Sequence, residues 1–107
     1  MEIGEFQRRL RRIYGKRDRA RGPDRTFMWF VEEVGELSRA LRRADRANLE
    51  EEMSDALAWL VSVATLEGVD LEAAASRFSR GCPRCSRSPC RCPADRNRRR
   101  RGAGGRS

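Results

Sequence analysis

The sequence predicts an all-α protein, and three observations carry that reading. Apolar residues recur three and four positions apart, the period of one helix face. Capping residues and glycines stand where such stretches begin and end. No segment shows the strict alternation of a half-buried strand. The 107 residues are expected to form a helical domain over 1–80 and a short Cys-rich knuckle over 81–93. A basic tail over 94–107 is expected to be disordered.

The first predicted helix covers about residues 2–15, with Ile3, Phe6, Leu10 and Ile13 on one face. GKRDRARGPDR at 15–25 reads as a polar connection punctuated by Gly and Pro. Asp24 or Thr26 is expected to cap a second helix over about 25–44, with an apolar stripe of Phe27, Phe30, Val34, Leu37 and Leu41. Asn48 is expected to cap a third over about 49–67, with Glu51 at the capping-box position and Gly68 as its stop. Asp70 is expected to cap a fourth over about 71–79, ended by Gly81.

Charge divides the chain at the same place as composition. Residues 1–80 hold 15 Lys or Arg and 15 Asp or Glu, whereas residues 81–107 hold 9 Arg and 1 Asp. The whole excess of +8 lies in the tail. The helical body therefore lacks the basic excess of a nucleic-acid binder. There is no His, which excludes His bases, His ligands and Ser-His-Asp triads. A metal site must use carboxylates, thiolates or carbonyls. No run of about eighteen apolar residues marks a membrane span. MEIGEFQRRLRRIYGK lacks the apolar centre of a signal peptide, so a cytoplasmic location is expected.

The chemistry concentrates in acids. Glu33 and Glu36 stand one turn apart on the second helix, with Glu32 on the outer flank of the same acidic face. The third helix is apolar nearly all round from Ala56 to Leu66, which marks it as central. Glu52 and Asp55 begin the side that continues through Trp59, Val63 and Leu66. Both pairs have the same i, i+3 spacing, and two helices joined by a short connection pack antiparallel, so the pairs can face each other. Four inward carboxylates repel unless a cation neutralises them, and an all-oxygen donor set favours Mg²⁺ or Mn²⁺. The alternative is a solvated acidic face, paired with Arg39, Arg42, Arg43 and Arg46.

FVEEVGELSRAL, followed by NLEEEMSDALAWLVSVATLEGVDLEAA, resembles the MazG-like family of all-α nucleotide pyrophosphohydrolases. The family pattern of EExxE, a spacer and ExxD reads here as Glu32, Glu33 and Glu36, fifteen intervening residues, then Glu52 and Asp55. The resemblance covers about residues 5–80. It implies a four-helix bundle that assembles as a homodimer or homotetramer. It implies a nucleoside triphosphate substrate, cut between the α and β phosphates to the monophosphate and pyrophosphate. Glu33, Glu36, Glu52 and Asp55 would hold Mg²⁺, and Glu32 would bind a further Mg²⁺ or orient the attacking water. Lys16, Arg17, Arg77 and Arg80 stand where basic residues near the substrate phosphates are expected, although surface charge accounts for them equally well. Trp29 and Trp59 fit the core better than a base-stacking role. A phosphoribosyl-ATP pyrophosphohydrolase activity ranks lower, because ALAWL lacks the histidine those enzymes place after their aspartate.

Cys82, Cys85, Cys90 and Cys92 fall within eleven residues and depart from the usual end of that family. Four thiolates without His fit a structural tetrahedral zinc site. Free thiols, a redox pair and disulfides are the rivals. A reducing compartment disfavours disulfides, and the strand-to-helix context of a redox CxxC is missing. The Arg run at 96–101 fits salt-dependent contact with nucleic acid or a solvated tail. The rival to the enzyme is therefore a non-enzymatic, nucleic-acid-binding helical protein with a zinc-bearing basic tail. That reading leaves the matched carboxylate pairs unexplained.

Overall fold

The structure, a computed structural model, describes residues 1–94. The Arg run at 96–101 and nearly all of the predicted disordered tail lie outside the described residues. The elements are α1 (Ile3–Arg21), α2 (Pro23–Arg43), α3 (Arg46–Leu66) and α4 (Leu71–Ala75), followed by a 3-10 turn at Ser76–Phe78. The fold is all-α with four helices, and no strand occurs among the described residues. The chain divides into two compact units, Met1–Ala74 and Ala75–Ser107. No helix among the described residues is long and apolar enough to cross a membrane.

The helix boundaries depart from the sequence pattern at definite places. α1 runs through the predicted connection as far as Arg21. Lys, Arg and Ala are strong helix formers, and Asp18 pairs with Arg21 one turn on at 3.0 Å. The break falls at Gly22, whose φ of +88° suits glycine alone. Pro23 then opens α2, where its missing N–H costs nothing. Neither Asp24 nor Thr26 is the cap. Thr26 is helical and fully buried, and its hydroxyl donates back to the Gly22 carbonyl at 2.7 Å. Asp45, not Asn48, caps α3, with its carboxylate accepting from the Asn48 N–H at 3.3 Å. Asp70 accepts from the Glu72 and Ala73 N–H groups at 3.0 and 3.3 Å and starts α4 as expected. That helix ends earlier than predicted, at Ala75.

Ala44 and Asp45 turn α3 back along α2, and these two helices make the most extensive packing in the molecule. The inner face of α2 is Thr26, Phe30, Glu33, Leu37 and Ala40. This corrects the predicted stripe, since Phe27, Val34 and Leu41 lie on the exposed side. Ala40 on α2 and Ala56 on α3 are buried, and side chains this small let the two backbones approach closely. Leu10, Leu49 and Val61 supply the larger buried apolar groups. A face that carries Glu33 cannot be a continuous apolar stripe, so part of the apolar surface of α2 turns outward.

Polar side chains fasten α1. Gln7 donates from Nε2 to the Thr65 hydroxyl and the Val69 carbonyl at 3.1 and 2.8 Å, and accepts from the Leu71 N–H at 2.9 Å. Glu72 accepts from the Gly4 N–H at 2.9 Å. Deeper, the Ser62 hydroxyl of α3 donates to Asp18 of α1 at 2.7 Å, with both residues buried. A buried carboxylate deprived of a donor costs about 1–3 kcal/mol. Ser62→Ala is therefore expected to lower the melting temperature by several degrees in calorimetry. An unchanged melting temperature would show that Asp18 is solvated rather than held by Ser62.

Candidate active site at the seam of the second and third helices

Glu33 faces α3 from the inner side of α2, and Glu52 and Asp55 stand one turn apart near the start of α3. Each of the three offers one carboxylate oxygen, and these oxygens lie within 4.8 Å of one another. One oxygen of Glu52, Oε1, is buried and has no hydrogen-bond partner among the described residues. A buried acceptor without a donor is costly, and a cation satisfies it directly. The Glu33 carboxyl is pushed above the ordinary carboxylate value. Burial is the largest cause, followed by the charge of Asp55, the facing carboxyl of Glu52 and the charge of Glu36. Hard oxygen donors crowded with like charge are the donor set of a hard divalent cation.

Two of the five predicted acids stand apart from this cluster. Glu36 is exposed and ion-paired with Arg39 on the next turn of α2. It remains close enough to act on the titration of Glu33. Glu32 is exposed and lines a separate cavity of about 500 Å³ with Arg21, Arg25, Met28 and Trp29. Glu36 thus has the surface pairing that was the rival explanation of the acids, and Glu33, Glu52 and Asp55 make no ion pair among the described residues.

A second cavity, of about 270 Å³, opens beside the cluster and shares Asp55 with it. Tyr14, Arg17, Asp18 and Arg21 line it from α1, and Trp59 and Ser62 from α3. Arg21 is the hub between the two cavities. Its guanidinium lies 4.8 Å from the centroid of the Trp59 ring and also donates to Asp18 and Thr26. Trp29 and Trp59 stack with centroids 6.0 Å apart and planes 20° apart. The core placement expected of these tryptophans is corrected for Trp29, which is half-exposed, whereas Trp59 is half-buried at the edge of a cavity. Arg17 reaches the cavity, whereas Lys16 is exposed. Arg77 and Arg80 are exposed residues of the second compact unit.

Asp18 and Arg21 are hidden in the sequence, because the polar stretch that carries them has the composition of a connection. One signal was available: an Asp and an Arg at i, i+3 spacing continue the side of α1 begun by the apolar residues.

Residues 21–87 match the family model of the MazG nucleotide pyrophosphohydrolase domain. The chain belongs to this family. MazG domains are nucleotide pyrophosphohydrolases and typically depend on metal ions, which agrees with the acidic cluster at the α2–α3 seam. The match ends among the cysteines, so the MazG domain accounts for the acids and not for the whole Cys cluster. No curated protein matches the chain.

Because the folded pKa of Glu33 lies above its unfolded value, this carboxyl adds stability only while protonated. That contribution is complete below the unfolded value and is lost as pH rises through the raised one. Above that raised value its charge opposes folding. Glu33→Gln is expected to raise the melting temperature in EDTA, and to do so more at high pH than at low pH. A lower melting temperature in EDTA would show that the Glu33 carboxylate makes a net stabilising contact.

Proposed function

We propose that the chain is a Mg²⁺-dependent nucleoside triphosphate pyrophosphohydrolase. It would add water across the bond between the α and β phosphates of an NTP or dNTP, releasing the monophosphate and pyrophosphate. The observation that carries this reading is the cluster of Glu33, Glu52 and Asp55, with its partnerless Glu52 oxygen, at the edge of a cavity bearing Arg17, Arg21 and Trp59.

Glu33, Glu52 and Asp55 are the proposed Mg²⁺ ligands. Glu36 joins them by leaving Arg39, at little cost because both side chains of that pair are nearly half exposed. Mn²⁺ suits the same oxygens. When bound, the metal supplies charge neutralisation for the phosphates and a more acidic water. Arg17 and Arg21 present fixed positive charge to phosphate oxygens and hold the reacting bond in place. Trp29, half-exposed and stacked on Trp59, offers a surface for a base. Glu32 has the exposure needed to orient the attacking water or to bind a further metal ion. Lys16 is assigned to an outer phosphate contact.

The helical unit is proposed to work as a homodimer, or as a homotetramer built from dimers. On α2, Phe27, Val31, Val34 and Leu41 share one exposed face, and on α3 Met53, Leu57 and Leu60 do the same. An apolar surface of this kind on a small domain is usually covered by a partner. Val34→Asp with Leu60→Asp is expected to convert the native oligomer to monomer in light scattering after gel filtration. A wild-type monomer would overturn the assembly.

The activity is tested by pyrophosphate release from a panel of NTPs and dNTPs, with Mg²⁺ and then with EDTA. Monophosphate and pyrophosphate should form only with metal. Glu52→Ala and Asp55→Ala should each lower kcat/KM by roughly 10²-fold or more, as loss of a metal ligand does. Full activity in a Glu36→Ala, Asp55→Ala double variant, or release of orthophosphate in place of pyrophosphate, would sink the proposal.

A further inference from the structure

The second compact unit contains a feature that triphosphate hydrolysis does not use. Cys82, Cys85, Cys90 and Cys92 are all free thiols, and their sulfurs lie within 4.8 Å of one another. Cys82 and Cys92 are 3.7 Å apart and Cys85 and Cys90 are 4.0 Å apart. A tetrahedron of sulfurs around a metal at a Zn–S distance of about 2.3 Å has edges of about 3.8 Å. The observed pairs stand at that spacing, far outside the S–S bond length of about 2.05 Å.

The backbone is shaped around the sulfurs. The Arg84 N–H donates to Cys82 Sγ at 3.4 Å, the Arg91 N–H to Cys85 Sγ at 3.2 Å and the Cys92 N–H to Cys90 Sγ at 3.3 Å. Donors aimed at sulfur favour thiolates and orient metal ligands. The Cys82 N–H donates to the Arg87 carbonyl at 3.0 Å and the Ser86 N–H to the Cys82 carbonyl at 2.7 Å, which closes the first knuckle on itself. Gly81 makes that closure possible. Its φ is +105°, and a Cβ there would stand 2.8 Å from the Arg87 carbonyl group. Four thiolates cannot gather here without a cation.

We propose that Cys82, Cys85, Cys90 and Cys92 bind a single structural Zn²⁺ that closes residues 82–92 into a rigid loop. The donor set selects the metal: soft sulfur ligands with no oxygen or imidazole among them suit zinc and not Mg²⁺. Each thiol loses its proton to solvent on binding, so four S–H bonds are replaced by four Zn–S bonds and no electron is transferred. Zinc with four thiolates carries a net charge of −2, and Arg84, Arg87 and Arg91 lie within the same loop to offset it. A closed shell leaves no position for water or substrate, which makes the site structural and separate from the acidic cluster.

The test uses the full-length protein, purified with the thiols kept reduced and dialysed against metal-free buffer. Elemental analysis by mass spectrometry should give one zinc per chain. The Cys85→Ser, Cys90→Ser double variant should lose it, while the Glu52→Ala, Asp55→Ala double variant keeps it. Reconstitution with Co²⁺ alone should produce the intense visible bands and the near-ultraviolet sulfur-to-cobalt absorption of a tetrahedral thiolate site. Zinc that disappears with the acidic residues and stays in the cysteine variant would overturn the proposal. So would a zinc-free protein whose four thiols all react at once with Ellman's reagent, or one isolated with disulfides. None of these readouts depends on hydrolysis, so the zinc site and the proposed activity stand or fall separately.

Discussion

The repulsion among carboxylates turned into the α2–α3 seam is the constraint around which the helical unit is arranged. Glu33 and Glu52 are half-buried at positions that in an ordinary helical pair hold leucine or valine, and the exposed Asp55 stands beside them. Burial and like charge act together on Glu33, and Glu52 keeps an oxygen with no donor among the described residues. Such an arrangement lowers the stability of the fold, and the proposed cation would relieve it. Strain of this kind at a pair of rigid helices is a common mark of a functional site.

Much of the remaining packing follows from that choice. With Glu33 on the inner face of α2, small buried residues, Ala40 and Ala56, let the helices approach. Phe27, Val31, Val34 and Leu41 are left on the outside, the face that the proposed second copy would cover. α1 responds at its far end. Its inner side is apolar as far as Leu10 and then carries Arg17, Asp18 and Arg21 toward Asp55 and Trp59. Asp18 is kept in place by Ser62 and Arg21, so the cationic wall of the cavity rests on a buried hydrogen-bond network.

The cysteine loop follows a different logic. It has no apolar core of its own among the described residues, and its order comes from hydrogen bonds to sulfur and from the left-handed turn at Gly81. A short segment of that kind would gain stability from the proposed zinc rather than from burial. The molecule thus pairs two donor chemistries on one chain, oxygen in the helical unit and sulfur in the loop.

The sequence by itself determined the helical class, the approximate helices, the paired acids and the two donor sets. These depend on local periodicity and on residue type at fixed spacing, which survive without any knowledge of packing. It also placed Asp70 correctly as the cap of α4, because capping is local. Only the tertiary structure decided which face of α2 is inner. The apolar stripe at Phe27, Val34 and Leu41 and the acidic face at Glu33 compete for the core, and the cost of each depends on what α3 presents opposite. The same holds for residues 15–21, where a polar helix lining a cavity has the composition of a loop. The separation of Glu36 from Glu33, Glu52 and Asp55 was likewise beyond the pattern. Spacing makes the four acids equivalent, and only the packing of α3 against α2 decides that Glu33 meets Glu52 and Asp55 while Glu36 stays with its neighbour Arg39.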